Sequence, residues 1–201
     1  TPVLESWLKS HNRFGYQERT HAFSEAAIAE AVRRLSDIAL ADGLVRANER
    51  VYELLTLGIA LPQMVDGDTK SYSLRYVDWE HPENNVYHLC EEFSVEREGS
   101  HQTRRPDIVC FVNGIPFAVI ECKRPDLELK DGGLPYEEAV SQMLRNQQEG
   151  EIRPLFAYAQ LLLAVSTNHA AYATTATPKE FWAAWREEEA EAHEARAARL
   201  V

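Results

Sequence analysis

Three ionisable residues lie at the ends of two strongly apolar segments. Asp107 precedes "IVCFV", and Glu121 and Lys123 flank Cys122 at the end of "IPFAVIECK". Carboxylate oxygens are ligands that Mg²⁺ accepts in proteins, and the bound cation can acidify a water molecule. The backbone carbonyl of Cys122 could add a neutral oxygen ligand, while Lys123 could orient the attacking water and offset negative charge. If these groups meet, their chemistry is the hydrolysis of a phosphodiester bond.

Whether the groups meet depends on the hairpin between the two apolar segments. Alternate residues of a strand share a face, so Glu121 and Lys123 project together. A two-residue Asn113-Gly114 turn would place Asp107 opposite Ile120 and therefore turn it away from Glu121. A three-residue loop, or an equivalent bulge, would bring Asp107 onto the face of Glu121. The sequence is compatible with both geometries, and in the first of them the acids are structural.

The segments around the hairpin alternate between helical and strand patterns. Helices are predicted over residues 24–41, 45–59 and 136–149, and strands over 71–79, 107–112, 115–122, 155–168 and 170–175. A last helix is predicted from residue 179, with Phe181, Trp182 and Trp185 buried. This order predicts an α/β fold with a central mixed β-sheet flanked by helices. The predicted divisions are an N-terminal arm (1–21), one domain (22–178) and a C-terminal helix or linker (179–201).

Composition limits the classes of function. The 201 residues carry a net charge of −11, which argues against a free-standing nucleic-acid binder. Three cysteines without a paired spacing are typical of small core side chains in a reduced cytoplasm, and Cys122 is expected to point into the core. Apolar runs are too short to cross a membrane. No phosphate-binding glycine motif is present, so the chain should not hydrolyse nucleotides by itself.

The segment "RRPDIVCFVNGIPFAVIECKRP" resembles the PD-(D/E)xK nuclease motif of the restriction (R) subunit of type I restriction-modification enzymes. The flanks "DWEHPENNVYHLCEEFSVE" and "EEAVSQMLRNQQEGEIRPLFAYAQLLLAV" are similar to the segments that surround the motif in that family. The resemblance covers roughly residues 22–185. It implies a restriction-endonuclease-like core and a Mg²⁺-dependent endonuclease that cuts unmodified foreign DNA.

The resemblance assigns roles residue by residue. Asp107 and Glu121 match the metal ligands, and Lys123 matches the catalytic lysine. Gln142 matches the glutamine of the family's Q-x-x-x-Y element. The tyrosine position of that element holds Asn146, which departs from the pattern.

Further site residues are expected from the same resemblance. Many such nucleases add an acid from the first helix, and Glu30 is the candidate, with Glu25, Glu49 and Glu53 as rivals. A local basic rim for DNA would come from five arginines: Arg97, Arg104, Arg105, Arg124 and Arg145.

Partners also follow from the resemblance. Double-stranded DNA would be held by an ATP-driven motor of the same subunit and by methyltransferase and specificity subunits, so ATP would serve only the full-length subunit. The C-terminal helix would lead to the motor. Two alternatives remain: a non-catalytic module that docks the motor or partner subunits, and a free-standing structure-specific repair nuclease.

Overall fold

The computed structural model describes residues 2–124, 126, 129, 132–167 and 169–186. The chain begins with a helix and a hairpin: α1 (Pro2–His11), β1 (Arg13–Tyr16) and β2 (Arg19–Ala22). Leu4, Trp7 and Leu8 of α1 are buried in the first apolar cluster. The sequence pattern over residues 1–21 did not predict these three elements, because their apolar residues find partners only in the folded chain.

Two amphipathic helices and a second hairpin complete the N-terminal half. These are α2 (Glu25–Ser36), α3 (Leu44–Leu57), β3 (Ile59–Val65) and β4 (Asp68–Leu74). Ser24 caps α2 as predicted, since its Oγ accepts a hydrogen bond of 3.3 Å from the backbone N–H of Ala27. The predicted strand over residues 71–79 corresponds to the end of β4.

Eight further strands follow along the described part of the chain. They are β5 (Tyr87–Glu91), β6 (Val95–Glu96), β7 (Thr103–Arg104), β8 (Ile108–Val112), β9 (Ile115–Cys122), β10 (Leu161–Ser166), β11 (His169–Ala173) and β12 (Ala183–Ala184). The short strands β6 and β7 pair with each other. The other six form one sheet in the order β12-β11-β10-β9-β8-β5. Only the β9–β10 pair within this sheet is parallel.

Two helices flank the sheet: α4 (Pro135–Asn146) and α5 (Arg153–Tyr158). They bury Met143 and Phe156 against Val109, Val119 and Leu162 in a second apolar cluster. The predicted α/β fold with a central mixed sheet and flanking helices is thus confirmed. The predicted strand over residues 155–168 divides into α5 and β10. None of the helices in the described residues has both the length and the apolar character needed to cross a bilayer.

The predicted helix from residue 179 is wrong over its described part. Lys179–Phe181 form one 3₁₀ turn, and β12 follows at the edge of the sheet. Trp185 is 55% exposed rather than buried, and its backbone N–H donates to the carbonyl of Ala170. Pairing with the sheet edge overrides the local helical preference. Residues 187–201 lie outside the described residues.

Candidate active site

A bulge in the β8–β9 hairpin decides which residues share a face. The connection is the two-residue turn Asn113-Gly114, with φ of +53° and +79°, and it pairs Val112 with Ile115. Phe117 is then an extra residue in β9, because Phe111 pairs with Pro116 while Cys110 pairs with Ala118. The register beyond the bulge is therefore shifted by one residue.

The shift brings Asp107 to Glu121. Ile108 pairs with Ile120, so Asp107, which immediately precedes β8, stands across from Glu121 and on the same face. The Asp107 Oδ2 atom accepts a hydrogen bond of 2.7 Å from the backbone N–H of Cys122, which holds the aspartate at the end of β9. The bulged alternative left open by the sequence is thus the one that the fold adopts.

Gln142 on α4 links the glutamate to the lysine. Its Nε2 donates to Glu121 Oε2 over 2.8 Å, and its Oε1 accepts from Lys123 Nζ over 2.6 Å. Direct contact between Glu121 Oε2 and Lys123 Nζ is longer, at 4.0 Å. One amide therefore fixes the position of both groups, and α4 can present it because Met143 anchors the helix in the core.

Glu121 is a fully buried carboxyl group. Its pKa is raised to about 8, first by burial and then by the negative charge of Asp107 and a hydrogen bond between the two carboxyl groups, while the charge of Lys123 and the hydrogen bond from Gln142 oppose the rise. When Glu121 is ionised, its buried Oε1 atom accepts no hydrogen bond from a donor among the described residues. A buried oxygen without a partner is unfavourable in a folded protein unless something else satisfies it.

This donor set fits a divalent cation of the magnesium type. Asp107 and Glu121 offer carboxylate oxygens, one of them the unsatisfied Oε1 atom. No group of three or more His, Cys, Asp or Glu side chains with ligand geometry occurs in the described residues. Mg²⁺ is often held by one or two carboxylates together with waters and phosphate oxygens, so two carboxylates are sufficient.

Glu30 is engaged away from this cluster. Its carboxylate forms ion pairs of 2.8 Å with both Arg33 and Arg34 on its own helix, and hydrogen bonds from these arginines lower its pKa to about 2. The rival Glu25 pairs with Lys9. The helix that carries Glu30, α2, therefore engages this carboxylate in ion pairs of its own, and Glu30 is not among the proposed metal ligands.

The arginines expected to form a basic rim differ in their contacts. Arg104 makes a two-pronged ion pair with Glu151, at 2.8 and 2.9 Å, and Arg97 contacts the same carboxylate. Arg145 pairs with Glu138. These guanidinium groups hold the β6–β7 hairpin and α4 in place.

Two rim arginines remain open to a ligand. Arg105 is exposed and makes no ion pair with the described part of the chain. The side chain of Arg124 is 83% exposed, and its contact with Asp126 is loose, at 3.8 Å. Both lie within two residues of the acidic and basic groups of the site.

Two other expectations have clear outcomes. Cys122 is exposed rather than in the core, because the face of the sheet toward which it points is not covered at that position. Asn146, in place of the family's tyrosine, is 5% exposed at the last position of α4. It packs inside the fold, one turn beyond Gln142.

Sequence reasoning did not identify the bridging role of Gln142, because that role depends on the distance between α4 and the hairpin.

The mixed sheet, the flanking helices and the carboxylate pair beside a lysine define a restriction-endonuclease-like fold. The family "Type I restriction enzyme R protein N terminus" matches residues 4–181. This chain therefore belongs to that family.

Individual relatives agree with this assignment. The chain is 33% identical over 140 residues to the type I restriction enzyme HindI endonuclease subunit of Haemophilus influenzae, which covers 69% of this chain and 12% of the relative. It is 31% identical over 165 residues to the putative type I restriction enzyme MjaVIIIP endonuclease subunit of Methanocaldococcus jannaschii, and the match covers 81% of this chain and 14% of the relative. The chain thus spans about one eighth of the length of these curated relatives.

Proposed function

We propose that this chain is the nuclease domain of a type I restriction enzyme R subunit, and that it hydrolyses phosphodiester bonds of unmodified foreign DNA with a divalent cation. The observation that carries this proposal is that Asp107 stands beside Glu121, which Gln142 links to Lys123, with a buried Glu121 oxygen that accepts no hydrogen bond from the described residues.

Each residue of the candidate site has a separate role in this proposal. Asp107 and Glu121 would hold the cation, and the carbonyl of Cys122 would add a third oxygen. A bound Mg²⁺ supplies an acidified water and neutralises charge on the phosphate. Lys123, held by the Gln142 amide, donates a hydrogen bond to the attacking water or to a phosphate oxygen as negative charge develops there. Arg105 and Arg124 contact the DNA backbone beside the scissile bond.

The relatives are endonuclease subunits of much greater length, so we assign cleavage to the complete subunit. By the resemblance, an ATP-driven motor of that subunit moves the DNA, and methyltransferase and specificity subunits in the cytoplasm select it. This arrangement explains how a domain with a net charge of −11 can act on DNA, because other parts of the assembly hold the duplex.

Substitutions in the full-length subunit, assembled with its partners, test the proposal. Asp107→Asn removes a ligand of the cation, and Lys123→Ala removes a donor to the reacting groups, so each is expected to lower DNA cleavage at least about 100-fold. ATP-driven translocation should continue at the wild-type rate. Glu18→Gln, an exposed change in the turn between β1 and β2, is the matched control and should cut normally. Wild-type cleavage by Lys123→Ala would refute the role given to the lysine.

Binding of Mn²⁺ separates the nuclease from a non-catalytic docking module. Calorimetric titration of the wild-type protein should show one or two sites that are lost in Glu121→Gln and kept in Glu18→Gln. A docking module has no reason to bind the ion at Glu121, so equal binding by wild type and Glu121→Gln would favour that alternative.

A further inference from the structure

One face of the six-stranded sheet carries apolar side chains that no described helix covers. Helices α4 and α5 pack on the opposite face, where their side chains form clusters with Val119, Leu162 and Ala164. The uncovered face, which we call the open face, is built from alternate residues of the same strands. Its main members are Leu89, Ile108, Cys110, Ile120, Leu163 and Tyr172.

The open face is continuous across the sheet. Ile108 pairs with Ile120, Ile120 with Leu163, and Leu163 with Tyr172, so that these four side chains stand in one row. The first three are half-buried, and Tyr172 is 39% exposed. Leu89, beside the row, is 59% exposed. None of the five belongs to an apolar core cluster of the described residues.

The sequence of the central strands is that of strands buried on both sides. β9 reads "IPFAVIEC" and β10 reads "LLLAVS", with no alternation of apolar and polar residues before their ends. Strands that leave one face to solvent usually alternate apolar and polar residues, and these two do not. A contiguous apolar surface of this kind marks an interaction site.

The side chains of the open face favour a protein rather than DNA as the molecule that binds there. The row that crosses all six strands contains one charged residue, Glu91 at its edge, and no cation. DNA binding requires lysine or arginine opposite phosphates. Beside the row, Trp79, Tyr87 and Phe117 help to line an apolar cleft of about 550 Å³, which can receive large apolar side chains of a partner.

We propose that the open face is the docking surface for the polypeptide that follows residue 201 in the longer R subunit. This inference rests on the proposed function, which places the chain in such a subunit. The matching family is described as the N terminus of the R protein, and the chain spans only 12–14% of the length of its relatives, so the subunit of the proposed function offers a long polypeptide as the occupant. The described part of the chain ends beside the open face. There β12 is an edge strand of this sheet, and the ring centroids of Trp185 and Tyr172 are 5.8 Å apart.

A cleavable full-length subunit tests this docking. A protease site is inserted after Val201, the subunit is cut, and gel filtration measures how much of the N-terminal fragment stays with the remainder. Leu89→Lys and Tyr172→Lys each place a charge on the open face at an exposed position, where the fold itself needs no repacking. Met64→Lys is the matched control, since Met64 is 76% exposed on β3, outside the six-stranded sheet.

The wild-type and Met64→Lys fragments are expected to remain bound after cutting. Leu89→Lys and Tyr172→Lys should dissociate at least about tenfold faster, because each replaces buried apolar contact by a charge. Leu89→Ala, a milder change, should lie between them and wild type. Release of the wild-type fragment, its elution as a dimer of itself, or equal retention of every variant would overturn the proposal. The readout does not involve DNA cleavage, so it stays valid even if Asp107→Asn proves to cut normally.

Discussion

Glu121→Gln is expected to stabilise the metal-free protein at alkaline pH while abolishing cleavage. The Glu121 carboxyl has a pKa of about 8 in the folded chain, against an ordinary value of 4.5. A group whose folded pKa is raised contributes stability below its unfolded pKa, and that contribution is lost as the pH rises through the folded pKa. The wild-type protein should therefore lose stability between about pH 4.5 and pH 8 through this one residue.

The magnitude follows from the size of the shift. Each pKa unit corresponds to about 1.4 kcal/mol, so a shift of this size sets an upper limit of roughly 5 kcal/mol. Water entry and relaxation around the ionised group reduce this value, and we expect at least about 2 kcal/mol. Glutamine keeps the shape of the side chain and can still accept the hydrogen bond from Gln142, but it carries no charge to desolvate.

The assay is chemical denaturation of wild type and variant in a chelating buffer at pH 5, 7 and 9. The quantity of interest is the change, between pH 5 and pH 9, in the difference in unfolding free energy between the two proteins. This comparison cancels the titration of the groups that do not interact with Glu121. Glu53→Gln, which removes an exposed carboxylate, should show a much smaller change. A stability difference for Glu121→Gln that is independent of pH would show that the glutamate is ionised in the folded protein at all these pH values.

Three further predictions follow from contacts around the site and the hairpin. Arg104→Ala should destabilise the fold by about 1–2 kcal/mol, because it leaves Glu151 without its bidentate partner. Arg105→Ala should keep the melting temperature, and it should reduce the number of counterions released on DNA binding, measured from the salt dependence of the affinity, by about one. The opposite pattern would contradict the assignment of Arg104 to the fold and of Arg105 to DNA. Asn113→Ala should cost at least about 3 kcal/mol in urea denaturation, since the buried amide bonds three partners at a positive φ, and a cost below about 1 kcal/mol would refute this. Gln142→Ala should slow single-turnover cleavage by about 10- to 100-fold through misplacement of the groups that it links, with unchanged DNA affinity; an unaltered rate would remove it from the site.

The sequence by itself determined the local parts of this protein. The strand over residues 115–122 has the predicted bounds, and the turn at Asn113-Gly114 and the Ser24 cap lie where their residue types require them. In each case the determining interactions are within a few residues, as with the left-handed conformations that Asn-Gly favours in a hairpin turn. The apolar runs and the order of elements were likewise sufficient to predict the mixed sheet.

Only the tertiary structure decided which residues meet. A strand has a side-chain period of two, so the single extra residue at Phe117 moves Asp107 to the face of Glu121, and nothing local in "NGIPFAVIE" specifies that register. Arg104 pairs with Glu151, whereas the neighbouring Arg105 makes no ion pair with the described residues. This difference also depends on a residue almost 50 positions away. Register and long-range pairing are set by the packing of the whole sheet, and for that reason the composition of the site could be predicted while its geometry could not.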